Sequence, residues 1–350
     1  MKKRNRVRVH GVGFLLIIIL ALEVILSASV GSANLSFFNS LKIIIHRIPV
    51  IGNFYDLSDV KEVYIKIVWD IRMPRILLAG LTGCALSVVG ASFQGLFKNP
   101  LADPHILGVS SGAAVGATIA MLSGMTMSFM GLGVIGIFAF LGALITVFIV
   151  YQIACVGNKI STVNIVLTGT AVSMMLSAVI SLLMAFHHDQ IEKVYLWTMG
   201  SFSSATWQKV SFMSFFTLVG IVGIFMFAKE LDVMTIGNDS AKSLGIDTSR
   251  VKKYLIILAS LLVAACVSVS GIIGFVGLVI PHCIRLISGP KHKRLLPFSA
   301  LGGAIFMIFC DTIARTITAP SELPVGVITA ILGTPYFIYL LQHNKRKLGA

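Results

Sequence analysis

Polar residues fall in short intervals along the chain, and the apolar stretches between them neither alternate nor carry a regular polar face. Continuous runs such as 14–22 and 138–150 argue for helices surrounded by lipid or by other helices. They argue against membrane strands, whose side chains alternate over about 10 residues. A helix crosses a hydrocarbon core of about 30 Å with about 20 mostly apolar residues. Ten stretches meet that description: 11–30, 76–97, 106–123, 129–151, 163–186, 210–228, 254–270, 271–287, 295–318 and 324–341. The pair covering 254–287 has no polar interval, so each member is short for a span. One tilted helix followed by a re-entrant piece is the alternative there.

Two polar intervals are too long for turns. Residues 31–75 read as an external segment of mixed charge, with apolar pieces such as 41–45. Residues 230–253 read as a cytoplasmic loop with a small amphipathic helix near 238–244, closed by Gly245. A loop that carries its own helix is commonly functional.

Composition narrows the class. Of 350 residues, 56% are hydrophobic and 12% charged, against about half and about a quarter in soluble domains. A soluble globule of this size would lack the polar surface to coat itself. An ordinary soluble enzyme, a disulfide scaffold and a disordered chain are therefore excluded. What remains is an all-α polytopic membrane protein, with residues 1–350 as one transmembrane domain. The net charge of +14 acts as an orientation signal. With the N-terminus inside, 19 basic residues fall on the inner side and 9 on the outer, as the positive-inside rule requires. Both termini are then expected in the cytoplasm, the first ten residues forming a basic tail. Merging 254–287 into one span would move Lys345, Arg346 and Lys347 to the wrong side. No basic face interleaved with aromatics is present, so no nucleic-acid partner is expected. The basic start followed by an apolar run resembles a signal peptide. It lacks a small-residue cleavage site and is long enough to span, so it reads as a retained first helix. Glu23 within it reads as packed on a neighbouring helix or near the outer interface. The five cysteines form no CxxC pair and read as small buried hydrophobes.

Catalytic and metal motifs are missing. There is no G-x-x-x-x-G-K-[ST] phosphate loop, and no Ser/His/Asp constellation is visible. Among the eight histidines only His187-His188-Asp189 adjoin a carboxylate, which suits a solvated helix end better than a metal site. No catalytic, cofactor or metal residue is expected. A recurrence of Ser87, Gly90 and Pro100 at the spacing of Ser268, Gly271 and Pro281 is close to chance.

What the chain does contain is an ordered series of blocks. Arg72-Met73-Pro74-Arg75 precedes a span carrying Gly80, Gly83, Gly90, Gln94 and Gly95. Asn99-Pro100-Leu101-Ala102-Asp103-Pro104 follows, then Leu107-Gly108-Val109-Ser110-Ser111-Gly112-Ala113. Farther on come Trp197-Thr198-Met199-Gly200-Ser201-Phe202, Gly237 to Gly245, Ser270 to His282 with Gly271, Gly274 and Pro281, Asp311 to Arg315, and Leu323 to Thr329. In this order, from about residue 72 to 341, they resemble the FecCD family of ABC-transporter permeases, which serve vitamin B12, ferric siderophores and haem.

The resemblance implies a ten-helix subunit working beside a second permease, either a copy or a paralogue. Two ATPase subunits would dock on the cytoplasmic side and carry ATP and Mg, and a binding protein or lipoprotein would dock outside. The missing phosphate loop fits that division. The implied cargo is an iron chelate, with haem or cobalamin as the alternative. The family pattern places Arg72, Arg75 and Arg315 as exposed arginines gripping carboxylates of the binding protein. The competing reading has Arg72 and Arg75 as interfacial anchors and Arg315 paired with Asp311 on its own helix. Gly237, Asn238, Asp239, Ser240, Ala241, Lys242, Leu244 and Gly245 match the coupling helix that seats in the ATPase. Its Asn-Asp-Ser departs from a more acidic variant, which puts partner specificity in doubt. Gln94, Asn99, Pro100, Asp103, Pro104, Gly108, Ser110, Gly112, Gly271, Gly274, Pro281 and His282 are family-motif positions and candidates for the pathway gate. Spans 76–97 and 163–186 are expected to line the pathway. A secondary transporter would need ionisable groups at mid-membrane, and only Glu23 and Asp311 lie in spans.

Overall fold

The computed structural model describes residues 2–31, 35–47, 52, 57, 59–156 and 159–348. The remaining parts of the 31–75 segment, and Met1 of the basic N-terminal tail, lie outside the described residues. Ten apolar helices match the ten predicted spans. They are α1 (Lys2–Ser29), α4 (Met73–Leu96), α5 (Val109–Ser123), α6 (Val134–Ala154), α7 (Thr162–Phe186), α9 (Trp207–Met226), α12 (Thr248–Ser270), α13 (Val276–Ser288), α14 (His292–Ala314) and α15 (Val325–Leu348). Shorter helices join them: α2 (Phe37–His46), α3 (Glu62–Lys66), α8 (Ile191–Thr198), α10 (Ala228–Ile236) and α11 (Asn238–Ser243). The only strands among the described residues form two hairpins of two residues per strand.

Among the described residues, seven helices are long and apolar enough to cross a membrane. The apolar parts of the other three, 109–123, 276–288 and 325–339, are shorter. At 1.5 Å per residue a 13-residue helix such as α13 covers about 20 Å, two-thirds of the core. The stretch 271–275 before it is not helical. The uninterrupted run 254–287 therefore resolves into a full helix, a break and a short helix. Gly271 makes the break, with φ +71°, a conformation that carries little strain only for glycine.

Regular structure extends into both long polar intervals. Residues 62–96 form one continuous 35-residue helix, so the last part of the 31–75 segment is helical and runs directly into α4. A wide π-helical turn at Ile67–Arg72 joins α3 to α4. The 230–253 interval likewise carries most of α10, all of α11 and the first turn of α12, which begins at Thr248. Asp247 starts α12 by accepting from the N–H groups of Ser249 and Arg250, the usual N-cap arrangement.

The core is built around α4, which packs against α9, α12, α13 and α14. Its glycines let backbones meet. A Cβ on Gly83 would collide with the Gly303 carbonyl of α14, and one on Gly303 with the Gly83 carbonyl. Small residues at crossings are how helices associate where lipid is as apolar as leucine. Nearly every α4 side chain is buried, so the expectation that span 76–97 lines a pathway is corrected. The helix is enclosed by its own subunit. The recurrence noted in sequence also dissolves, since Gly90 lies inside α4 and Gly271 ends α12.

Candidate functional site

At one end of the bundle, three arginines converge on α1 and α14. Arg75 is 9% exposed. Its Nε donates to both oxygens of Asp311 at 3.1 and 2.9 Å, and Nη2 adds a bond to Oδ1 at 2.9 Å. Its Nη1 donates to both oxygens of Glu322 at 2.8 Å. Arg72 Nη1 donates to the carbonyls of Ala28 and Ser29 at 2.7 and 3.0 Å. Arg315 donates to the carbonyl and hydroxyl of Ser27, and Ser27 also hydrogen-bonds Thr312. The guanidiniums expected to stand exposed are thus enclosed and bonded within the chain. Asp311 hydrogen-bonds Arg75 across helices, while Arg315, one turn along from Asp311, hydrogen-bonds Ser27 of α1. Burial explains this: α1 ends with carbonyls that lack intrahelical donors, and arginine offers five N–H groups in a fixed fork.

Beside this network lies a cavity of about 1030 Å³, lined among others by Ser128, Trp197, Ser201, Ser203, Lys209 and Glu322. Lys209 Nζ donates to Ser204 Oγ at 2.7 Å. Its wall is assembled from four separate stretches of chain, within 125–136, 196–209, 268–271 and 322–324, so no single motif marks it. The Ser201-Phe202-Ser203-Ser204 cluster was the visible signal.

Across the middle, the break before α13 is fastened on both sides. A Cβ on Gly271 would collide with the Trp197 carbonyl. His105 Nε2 bonds the Ile273 carbonyl at 3.0 Å, and its Nδ1 contacts Ser110 Oγ. The Asn99–Pro104 turn leads into His105: Asn99 Oδ1 accepts from Leu101 N–H and Asp103 Oδ1 from His105 N–H. Pro104 packs on Gly277. These are bonds of a rigid connector.

The profile of the FecCD transport family matches residues 17–343. The chain belongs to the FecCD transport family. The cobalamin import permease of Halobacterium salinarum is 43% identical over 281 residues, spanning 80% of this chain and 74% of the relative. The hemin transport permease HmuU of Yersinia pestis is 37% identical over 338 residues, 96% of each. A solved inward-facing ABC transporter assigned to the metal-chelate type superposes with a TM-score of 0.80 at 29% identity, covering 94% of this chain and 98% of that one. The protein is a multi-span permease of the ABC-importer class, a membrane subunit and not an ATPase, and the family implies ATPase and substrate-binding partners.

The remaining FecCD positions occupy four settings. Gln94 is 3% exposed, and its Nε2 donates to the carbonyls of Gly277 and Leu278 at 3.4 and 3.1 Å. Pro281, inside α13, has no N–H for the Gly277 carbonyl four residues back, and Gln94 supplies that donor. His282 is half-buried beside Tyr336, ring centroids 6.3 Å apart. Gly108 opens α5 with φ +75°, and Gly112 meets Thr146 and Gly142 of α6. Gly274 faces open space and Pro100 is exposed. Gln94, Pro104, Gly271 and Pro281 are therefore brought around one helix break, while Asn99, Pro100 and Gly112 are not.

At the opposite end from the arginines, α11 forms as predicted. Gly237 is extended and precedes it, and Gly245 closes it at φ +82° with its N–H on the Lys242 carbonyl. Asn238, Asp239, Ser240 and Lys242 face outward or partly so, and only Ala241 is buried. Ile236 and Leu244 flank the helix, 81% and 70% exposed.

Proposed function

We propose that this permease subunit moves a ferric-siderophore-type iron chelate inward across the cytoplasmic membrane by alternating access. Separate ATPases drive it, and an external binding protein or lipoprotein feeds it. The observation that carries the cargo is the likeness to the metal-chelate transporter over 94% of the chain. The cavity of about 1030 Å³ beside Glu322 is read as the outer chamber that receives the chelate. Its serine hydroxyls offer hydrogen bonds without a strong grip, so tight recognition stays with the binding protein.

In this reading both termini are cytoplasmic, the arginine end faces outward and α11 faces the ATPase. The binding protein docks over the arginine cluster. There Arg72, Arg75 and Arg315 outnumber Asp311 and Glu322 by one charge and supply an attractive field from beneath the surface. The exposed Ile236 and Leu244 seat α11 in the ATPase groove. A second permease, identical or paralogous, completes the pathway along α7, whose neutral wall of Ser, Thr and Met suits a bulky ligand.

The decisive experiment reconstitutes the permease with its ATPase and binding protein and follows uptake of radioactive ferric siderophore, with haem and cobalamin as competitors. ATP-dependent siderophore uptake that stops when the ATPase loses its Walker lysine is the expected result. Uptake persisting without hydrolysis overturns the mechanism. Haem or cobalamin uptake in place of siderophore transfers the cargo to the second reading, which the cobalamin and hemin relatives favour.

A further inference from the structure

α10 and the first turn of α13 are joined, by way of α14 and α4, by a short series of part-buried and buried contacts, polar at its two ends and steric between. Asp232 of α10 lies 60 residues before His292 in sequence. Its Oδ1 accepts from both the backbone N–H and the ring Nδ1–H of His292, each at 2.7 Å. His292 is the first residue of α14 and is 2% exposed. The residue before it, Lys291, offers no side-chain cap. Asp232 therefore caps α14 from another helix, meeting the orphan N–H of His292 and the positive end of the helix dipole. The His292 ring lies flush on α4, where a Cβ on Gly95 would collide with it.

The next side chain on α4 is Gln94. Its amide holds the Gly277 and Leu278 carbonyls at the point where Pro281 interrupts the ladder of α13. One turn earlier, a Cβ on Gly90 would collide with the Gly277 carbonyl. α13 cannot shift at its break without moving Gln94. The end of α4 cannot shift without displacing the His292 ring that Asp232 holds to α10.

We infer that Asp232, His292 and Gln94 are positioning residues that convert a displacement of α10 and α11 into bending of α13 at Pro281. This inference rests on α11 being the ATPase seat. An element with two arrangements, straight or bent at a proline, is what a transmitted movement requires. A buried amide donor that serves carbonyls freed by a proline allows bending without leaving those carbonyls orphaned.

The test uses the full complex in liposomes, measuring chelate transported per ATP hydrolysed, thermal stability and ATPase co-purification. Gln94→Leu and Asp232→Ala are each expected to lower transport per ATP about tenfold while the ATPase still co-purifies. Asp232→Asn, which keeps an acceptor oxygen, is expected to retain coupling. The discriminating variant is Gln94→Leu with Pro281→Ala, in which α13 regains its own N–H donor. Recovered stability with transport still uncoupled supports the relay. Recovery of both shows Gln94 to be a structural cap and overturns it, as does normal coupling in the single variants. If Gln94→Leu fails to accumulate, the double variant carries the test alone. Failure of the seat itself reads differently: the ATPase would then co-purify undiminished with Leu244→Asp.

Discussion

α4 and α7 are of nearly equal length, and an 18-residue stretch of the span containing each has the same mean hydropathy of 2.0. Yet 83% of that stretch is buried inside the chain in the α4 span and 17% in the α7 span. Both were expected to line the pathway. Hydropathy reports only that a helix lies in lipid or protein, two surroundings it cannot separate. The distinction lies in small residues. α4 carries Gly80, Gly83, Gly90 and Gly95, each with a neighbour at its bare Cα, whereas α7 has Gly169 alone. α7 instead presents Leu167, Met174, Met175, Leu182 and Phe186 outward. One helix is the mast of the subunit and the other is a face prepared for lipid or a partner.

The harshest way to probe the mast is at its charge. Arg75→Ala leaves Asp311, 1% exposed, without its principal partner. Breaking a buried pair by removing one member costs about 3–5 kcal/mol. Thermal unfolding of the purified permease in detergent should show a larger drop than a glycine or surface substitution on either helix produces. An unchanged midpoint would mean that water reaches Asp311 and that this end of α4 is not sealed.

A milder contrast compares matched substitutions on the two helices. Gly83→Leu forces a side chain into the crossing with Gly303 and should cost about 1–3 kcal/mol or more, as overpacking does. Ser177→Leu, at an exposed site on α7, should stay within about 0.5 kcal/mol. Equal effects in the same unfolding assay would dissolve the distinction between mast and face.

Much of this was legible in sequence, and the exceptions share a cause. The apolar runs located all ten helices, because length and hydropathy are local properties. Gly237 and Gly245 bracketed α11 because terminating glycines act within one turn. The arginines at 72, 75 and 315 were visible as a motif, but their exposure was misjudged. Their partners Ala28, Ser29, Asp311 and Ser27 are 43 to 288 residues away in sequence, and no local signal reports such contacts. Asp232, two residues past Glu230 in an ordinary helix start, gave no sign of capping α14. The cavity wall was equally hidden, since Ser128, Ser201 and Glu322 converge only through tertiary packing.

The smallest expected change in stability belongs to the face of α7, and there the measurement is chemical. Met175 is 58% exposed, and none of the five native cysteines lies on α7. Met175→Cys should leave the unfolding midpoint within about 0.5 kcal/mol of the parent, as surface substitutions do. In a closed two-fold dimer the same patch meets itself, so a cysteine near the axis faces its own copy. Mild oxidation of membranes should then yield a reducible dimer with Met175→Cys that the parent chain does not form. Met174→Cys, one position along and 71% exposed, rotates the thiol by about 100° and locates the axis by its relative yield. A stable, dimeric permease that cross-links at neither position would assign α7 to lipid. The partner would then have to meet another part of the subunit, and the burial contrast between the two helices would report only the membrane.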